Sequence, residues 1–195
     1  MKNLFKFKFL TLVIGVIILL SGCVKQVSVE SEKKLLVGFD VDDTLLFSTP
    51  AFKKGFQSDT RPFSPEFWEV VNKSDRGNSI VKKKTQKILI EYQQKGDEIF
   101  VITARHPDGG ESLKEFLNET FNILKENIYF ETSGKTLRMR QLKLDIFYGD
   151  ADSDITAAQD ANVKAYRIQR STASSYQKKY NPGKYGEEVI PDSEW

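Results

Sequence analysis

The stretch Leu35-Leu36-Val37-Gly38-Phe39-Asp40-Val41-Asp42-Asp43-Thr44 constrains this chain more than any other. It opens with a short apolar run rich in strand formers, which predicts a buried β-strand. Asp40, Asp42 and Asp43 then fall within four positions. Alternation along an extended chain puts Asp40 and Asp42 on the same side. Like charges that close are costly unless a cation or a proton lies between them. A buried strand ending in carboxylates points to an open α/β sheet, which keeps its sites beyond the carboxyl ends of its strands. An acidic turn with no chemistry is the alternative, and the rest of the chain argues against it.

The apolar run Ile99-Phe100-Val101-Ile102 predicts a second buried strand, followed directly by Thr103-Ala104-Arg105. A hydroxyl and a planar guanidinium at a strand end suit phosphate oxygens. His106, the sole histidine, reads as an exposed loop side chain. Residues 127–130 predict a third, short strand. Ser133-Gly134-Lys135 then leads into a helical segment reaching Lys143, and on local sequence Lys135 reads as a surface residue. Asp145-Ile146-Phe147-Tyr148-Gly149-Asp150 predicts a fourth strand that again ends in an acid. Asp152 and Asp154 open a helix through Ala161, and residues 163–168 predict a fifth strand. Residues 79–95 and 111–124 show the spacing of amphipathic helices. Ser79 is placed to cap the first and Gly96 to end it. The lysines at 82–84 read as a solvated face. Strands alternating with helices predict a three-layer α/β fold, Rossmann-like, with a parallel sheet covered on both faces.

Residues 48–78 break the pattern. Pro50, Pro62, Pro65, Gly55 and Gly77 punctuate a stretch dense in aromatics, with one short helix predicted from Ser64 as N-cap and Pro65 at its first position. An insertion this long after the first strand is more than a connection. It reads as a small helical cap above the carboxylates. Phe52, Phe56, Phe67 and Trp68, with Tyr176 from the tail, are candidates for an apolar substrate slot. The alternative is that these rings only pack the cap onto the core.

Length and composition fit one globular domain over residues 35–195. The 29 basic residues include Lys2, Lys6 and Lys8; the other 26 face 27 acids, so the balance without the leader is −1. That gives no reason to expect a nucleic-acid polymer as partner. Residues 1–22 combine a basic start with an apolar run from Phe9 to Leu20, a secretory signal too short for a membrane span. The run ends Leu20-Ser21-Gly22-Cys23, which resembles a bacterial lipobox, and Cys23 is the chain's one cysteine. The resemblance implies lipidation of Cys23, a polar tether over residues 23–34, and anchoring in the cell envelope outside the cytoplasm. Because Val24 and not Asp follows the cysteine, it favours the outer membrane if the cell is Gram-negative.

Taken in order, the motifs are Asp-x-Asp-x-Thr at 40–44, Thr103, Lys135, and Gly-Asp-x-x-x-Asp at 149–154. This set resembles the haloacid dehalogenase (HAD) superfamily of phosphohydrolases. Longer runs resemble its class B acid phosphatases: residues 39–48, 63–66, 147–150, 154–158 and 186–190. The lipobox departs from that pattern, since lipid anchoring is more familiar in the class C acid phosphatases. The resemblance implies hydrolysis of small phosphomonoesters, nucleoside monophosphates among them. Asp40 would be the nucleophile and Asp42 the general acid and base. Mg²⁺ would be held by Asp40, Asp150 and the backbone carbonyl of Asp42, with Asp154 behind them orienting Lys135 or a metal-bound water. Thr103, Ala104, Arg105 and Lys135 would hold phosphate. The resemblance also suggests a homotetramer. Other readings are a class C-like nucleotidase or phosphotransferase, and a catalytically silent surface lipoprotein that binds a ligand.

Overall fold

The computed structural model describes residues 33–195. The leader, Cys23 and all but the last two positions of the tether lie outside them. Lys33 and Lys34, at the tether's end, form exposed ion pairs with Asp145 and Glu98.

The strands are β1 Leu36–Phe39, β2 Leu46–Phe47, β3 Ile80–Val81, β4 Glu98–Thr103, β5 Ile128–Phe130, β6 Ile146–Gly149, β7 Lys164–Ile168 and β8 Glu188–Ile190. The helices are α1 Thr49–Phe56, α2 Pro65–Asn78, α3 Lys83–Lys95, α4 Gly110–Phe121, α5 Thr136–Leu142 and α6 Asp152–Asp160. Six strands form one sheet in the order β5-β4-β1-β6-β7-β8, and every neighbouring pair is parallel. The chain moves from β1 to one side, then returns to place β6 on the other. The carboxyl ends of β1, β4 and β6 therefore flank the switch point where such sheets bind ligands.

Side-chain alternation makes the two outer layers. Val37, Phe39, Val101 and Ile128 face one side and pack with Leu89, Leu113, Leu117 and Phe121 from α3 and α4. Phe100, Ile102 and Phe147 face the other and pack with Met139, Ala157 and Ala158 from α5 and α6. This is the three-layer α/β arrangement the alternation predicts. The sheet gains one strand the sequence does not suggest, β8, which pairs Val189 with Arg167.

The insertion is a cap of two helices, α1 and α2, entered and left through the antiparallel pair β2–β3. Ser64 caps α2 through its side chain, which accepts from the Phe67 amide, and Pro65 starts it, as predicted. Two boundaries differ from the sequence reading. α2 runs to Asn78, because Asn72 and Asp75 turn inward to polar partners and a polar stretch stays helical. The following helix starts at Lys83 and not at Ser79, because Ile80 and Val81 are β-branched and pair with β2. Gly96 does end α3, with φ 84°. Lys82 corrects a further reading. It is 1% exposed, and its ammonium donates to the backbone carbonyls of Asp43 (2.5 Å) and Gln169 (2.6 Å). Burial lowers its pKa to about 8. It fastens the base of the cap to the loops after β1 and β7.

Among the described residues no helix is long and apolar enough to cross a membrane.

Candidate active site

The carboxylates predicted from sequence converge above the carboxyl ends of β1 and β6. Asp40 follows β1 directly, and its amide donates to the Tyr148 carbonyl of β6 at 2.9 Å. Asp150 follows β6, and Asp154 lies in the first turn of α6. An oxygen from each of Asp40, Asp150 and Asp154 lies within 4.8 Å of the others, and all three residues are buried. Gly149 permits this, since a Cβ there would run into the Asp154 side chain.

Two buried cations hold these acids. The Lys135 ammonium donates to Asp40 Oδ1 at 2.5 Å and to Asp154 Oδ1 at 2.7 Å. Lys135 is therefore 6% exposed and not the surface residue its local sequence suggests. The Arg170 guanidinium donates through Nε to Asp150 Oδ2 at 2.5 Å and stacks near Tyr176 and Tyr180. Even so, burial pushes Asp40 well above the usual carboxylate range, with Lys135 opposing and Asp154, Asp150 and Asp42 adding to the rise. Burial pushes Asp150 up to about 7, against Arg170 and with Asp154. Buried carboxylates that are hard to ionise, close together and offering only oxygen suit a hard divalent cation. The residues present thus fit the metal that the resemblance implies.

Asp42 is placed differently. Its carboxylate accepts from Arg105, at 3.0 Å from Nε and 2.7 Å from Nη2. Burial pushes its pKa up, but Arg105 more than offsets this and leaves it below the ordinary value. The side chain is 29% exposed and reaches the cleft. Its carboxylate lies on Arg105, so the metal contact that the resemblance implies for Asp42 would come from its main-chain carbonyl.

Arg105 is a correction. Sequence reading offers it to phosphate, but the side chain is completely buried. Its Nη1 and Nη2 also donate to Asp75, and Nη1 to Asn72 at 3.0 Å, so two carboxylates and an amide use its donors. Thr103 is also fully buried, and its Oγ1 accepts from the Arg105 amide at 3.3 Å. Of the Thr103-Ala104-Arg105 run, Ala104 lines the cleft.

The cleft measures about 390 Å³. Asp40, Asp42, Lys135 and Asp150 form its floor; Phe52, Phe56, Phe63, Trp68 and Tyr176 line it from the cap and the tail. Phe67 does not. It is fully buried between Ala51 and Val71, because α1 and α2 need an apolar seam of their own. Phe63, which the sequence reading did not offer, takes the place in the slot expected for Phe67; it is 62% exposed, with its ring centroid 5.3 Å from that of Phe67.

Sequence reasoning missed Arg170, Asp75 and Asn72. Arg170 had a usable signal, since it stands two residues beyond β7, at the same sheet edge as the acids. Asp75 and Asn72, on the cap, carry no such mark.

The model of the HAD superfamily, subfamily IIIB (acid phosphatase), matches residues 16–179. A class B acid phosphatase from Proteus mirabilis is 36% identical over 181 residues, covering 86% of this chain and 76% of that protein. The chain belongs to the class B acid phosphatases. A Marinomonas class B acid phosphatase is 35% identical over 194 residues, covering 88% of this chain and 80% of its own. Among solved structures, CbbY from Rhodobacter sphaeroides in complex with phosphate matches with a TM-score of 0.56 at 14% identity, covering 83% of this chain and 95% of its own. That match shows the fold alone. This class B chain is a phosphatase, and it carries an aspartate cluster able to hold a divalent metal.

Proposed function

We propose that this acid phosphatase is an extracytoplasmic, Mg²⁺-dependent enzyme that hydrolyses nucleoside monophosphates and similar phosphomonoesters through a phosphoaspartate on Asp40. The observation that carries the reading is the floor of the cleft, where Lys135 spans Asp40 and Asp154 while Asp42 stands apart on Arg105. The two aspartates after β1 thus have different partners and can have different roles.

Asp40 attacks phosphorus, and the bond from phosphorus to the leaving oxygen breaks. Asp42 gives that oxygen a proton. Water then attacks the phosphoaspartate, Asp42 takes its proton, and the bond to Asp40 breaks to release phosphate. Lys135 holds Asp40 Oδ1 and stabilises charge on the phosphoryl oxygens. Asp40, Asp150 and the Asp42 carbonyl would hold the Mg²⁺, which would offset the negative charge of site and substrate when bound. Backbone at Thr103-Ala104 completes the phosphate cradle.

The test uses full-length protein with p-nitrophenyl phosphate and nucleoside monophosphates at mildly acidic pH. We expect phosphate release with Mg²⁺ and its loss in EDTA. Turnover unchanged by EDTA would refute the metal requirement. A folded, metal-loaded protein with no turnover would refute the reading altogether.

The aromatic wall favours a flat, apolar leaving group. Phe63 is exposed enough for truncation to cost little stability, so Phe63→Ala isolates binding. We expect KM for nucleoside monophosphates to rise about 10-fold, as for a lost stacking contact of 1–2 kcal/mol, with a much smaller rise for glycerol 2-phosphate. Equal rises would refute stacking.

Location and assembly complete the proposal: a lipid on Cys23 holds the domain in the envelope, at the outer membrane in a Gram-negative cell, where it forms a homotetramer. Labelling with a radioactive fatty acid should mark the wild type and leave Cys23→Ala unlabelled. Equal labelling would remove the anchor.

A further inference from the structure

The chemistry proposed for Asp42 depends on where its carboxylate points, and that direction is fixed from the cap. Arg105 makes contact on two sides. Towards the cleft it meets Asp42 with Nε and Nη2; away from it Nη1 meets Asp75 Oδ2 at 2.5 Å and Nη2 meets Asp75 Oδ1 at 3.2 Å. The Asp75 side chain has no exposure, and Ser79 donates to its Oδ1 at 2.6 Å. Asn72, one turn earlier on α2, accepts from Arg105 and donates to the carbonyls of His106 and Asp108, in the loop that carries Arg105. A single carboxylate would neutralise Arg105. The second, on the far side, fixes the guanidinium plane, because a two-point fork to a carboxylate sets orientation as well as charge.

We infer that Asp75, on the second cap helix, is a positioning residue that acts through Arg105 to aim the Asp42 carboxylate at the leaving-group oxygen. The inference rests on the acid role proposed for Asp42. It makes the cap part of the proton-transfer apparatus as well as a wall of the substrate slot.

A misdirected acid has a signature that a loosened fold lacks. p-Nitrophenolate departs without a proton, whereas an alkoxide needs one in the transition state. The specificity constant kcat/KM covers steps up to cleavage of that bond, so water attack on the phosphoaspartate does not blur it. The experiment compares wild type, Asp75→Asn and Ser79→Ala, full length and with Mg²⁺, on p-nitrophenyl phosphate and glycerol 2-phosphate. For Asp75→Asn we expect kcat/KM on glycerol 2-phosphate to fall about 30-fold and on p-nitrophenyl phosphate less than about threefold, short of the roughly 10²–10⁴-fold that losing general acid catalysis outright would cost, because Asp42 is misaimed and not removed. Ser79→Ala, which only loosens Asp75, should shift the same ratio by about threefold, as for one lost hydrogen bond. If circular dichroism finds Asp75→Asn unfolded, the Ser79→Ala ratio decides. Equal losses on both substrates, or none, overturn the inference and leave the phosphatase reading standing. A wild type that turns over neither substrate overturns both.

Discussion

Asp40→Asn should lose turnover by about 10⁵-fold, the scale seen when a covalent nucleophile is removed. The amide keeps the shape of the side chain but cannot form the acyl phosphate. The substitution should not unfold the protein, and the sign of its effect on stability follows from burial. Asp40 is held well above the ordinary carboxylate range, chiefly by burial. Between its unfolded value of about 4 and its raised folded value, the folded state binds more protons than the unfolded one. Stability of the metal-free protein therefore falls as pH rises through that window. Asn carries no proton to lose, and Lys135 keeps its bond to Asp154. In EDTA at pH 7.5, Asp40→Asn should melt at or above the wild-type temperature. A variant that stays inactive but melts far below wild type would show that its loss of activity comes from misfolding.

The second large effect is Lys135→Met. Removing the ammonium takes away a donor to the transferring phosphoryl group, and kcat should fall about 10²–10³-fold. It also leaves Asp40 and Asp154 facing each other, buried and without their shared cation. Breaking a buried pair in this way costs about 3–5 kcal/mol, on the order of 10 °C of melting temperature for a chain of this size. The two consequences separate by metal. A divalent ion among the same acids supplies part of the lost charge, so the melting deficit should be larger in EDTA than in Mg²⁺. An equal deficit in both would mean that no cation reaches this cluster.

The sequence exposes the floor of the site because the floor is built by local rules. Asp40 and Asp150 each sit where a buried strand stops, Asp154 lies in the first turn of the helix that follows, and alternation and strand ends can be read one residue at a time. Lys135 has no local mark; the order of motifs across the chain finds it. Arg105 shows the limit of local chemistry. Its residue type suits phosphate, and its place after β4 suits it too, but a partner from a distant helix claims the side chain. Asp75 and Lys82 fail for the same reason. Their significance lies in contacts 30 and 39 residues away, and a polar residue on a helix looks solvated until the facing element is known. Phe67 is buried and Phe63 lines the cleft in its stead because the short run around them does not reveal which ring the seam between α1 and α2 will need.

The β2–β3 pair carries a consequence for how such a chain can change. Phe47 and Ile80 are partners across that pair, so the chain leaves the sheet domain and rejoins it at one spot. What lies between behaves as a cassette. Its length can vary at small entropic cost, since closing a longer loop adds only fractions of a kcal/mol, and the sheet need not move. An exchanged cassette would bring new walls to the cleft over an unchanged chemical floor. It would also have to return one carboxylate to the place of Asp75. New substrate ranges are therefore open to this architecture by transplanting a single segment, on condition that the transplant carries an acid for Arg105.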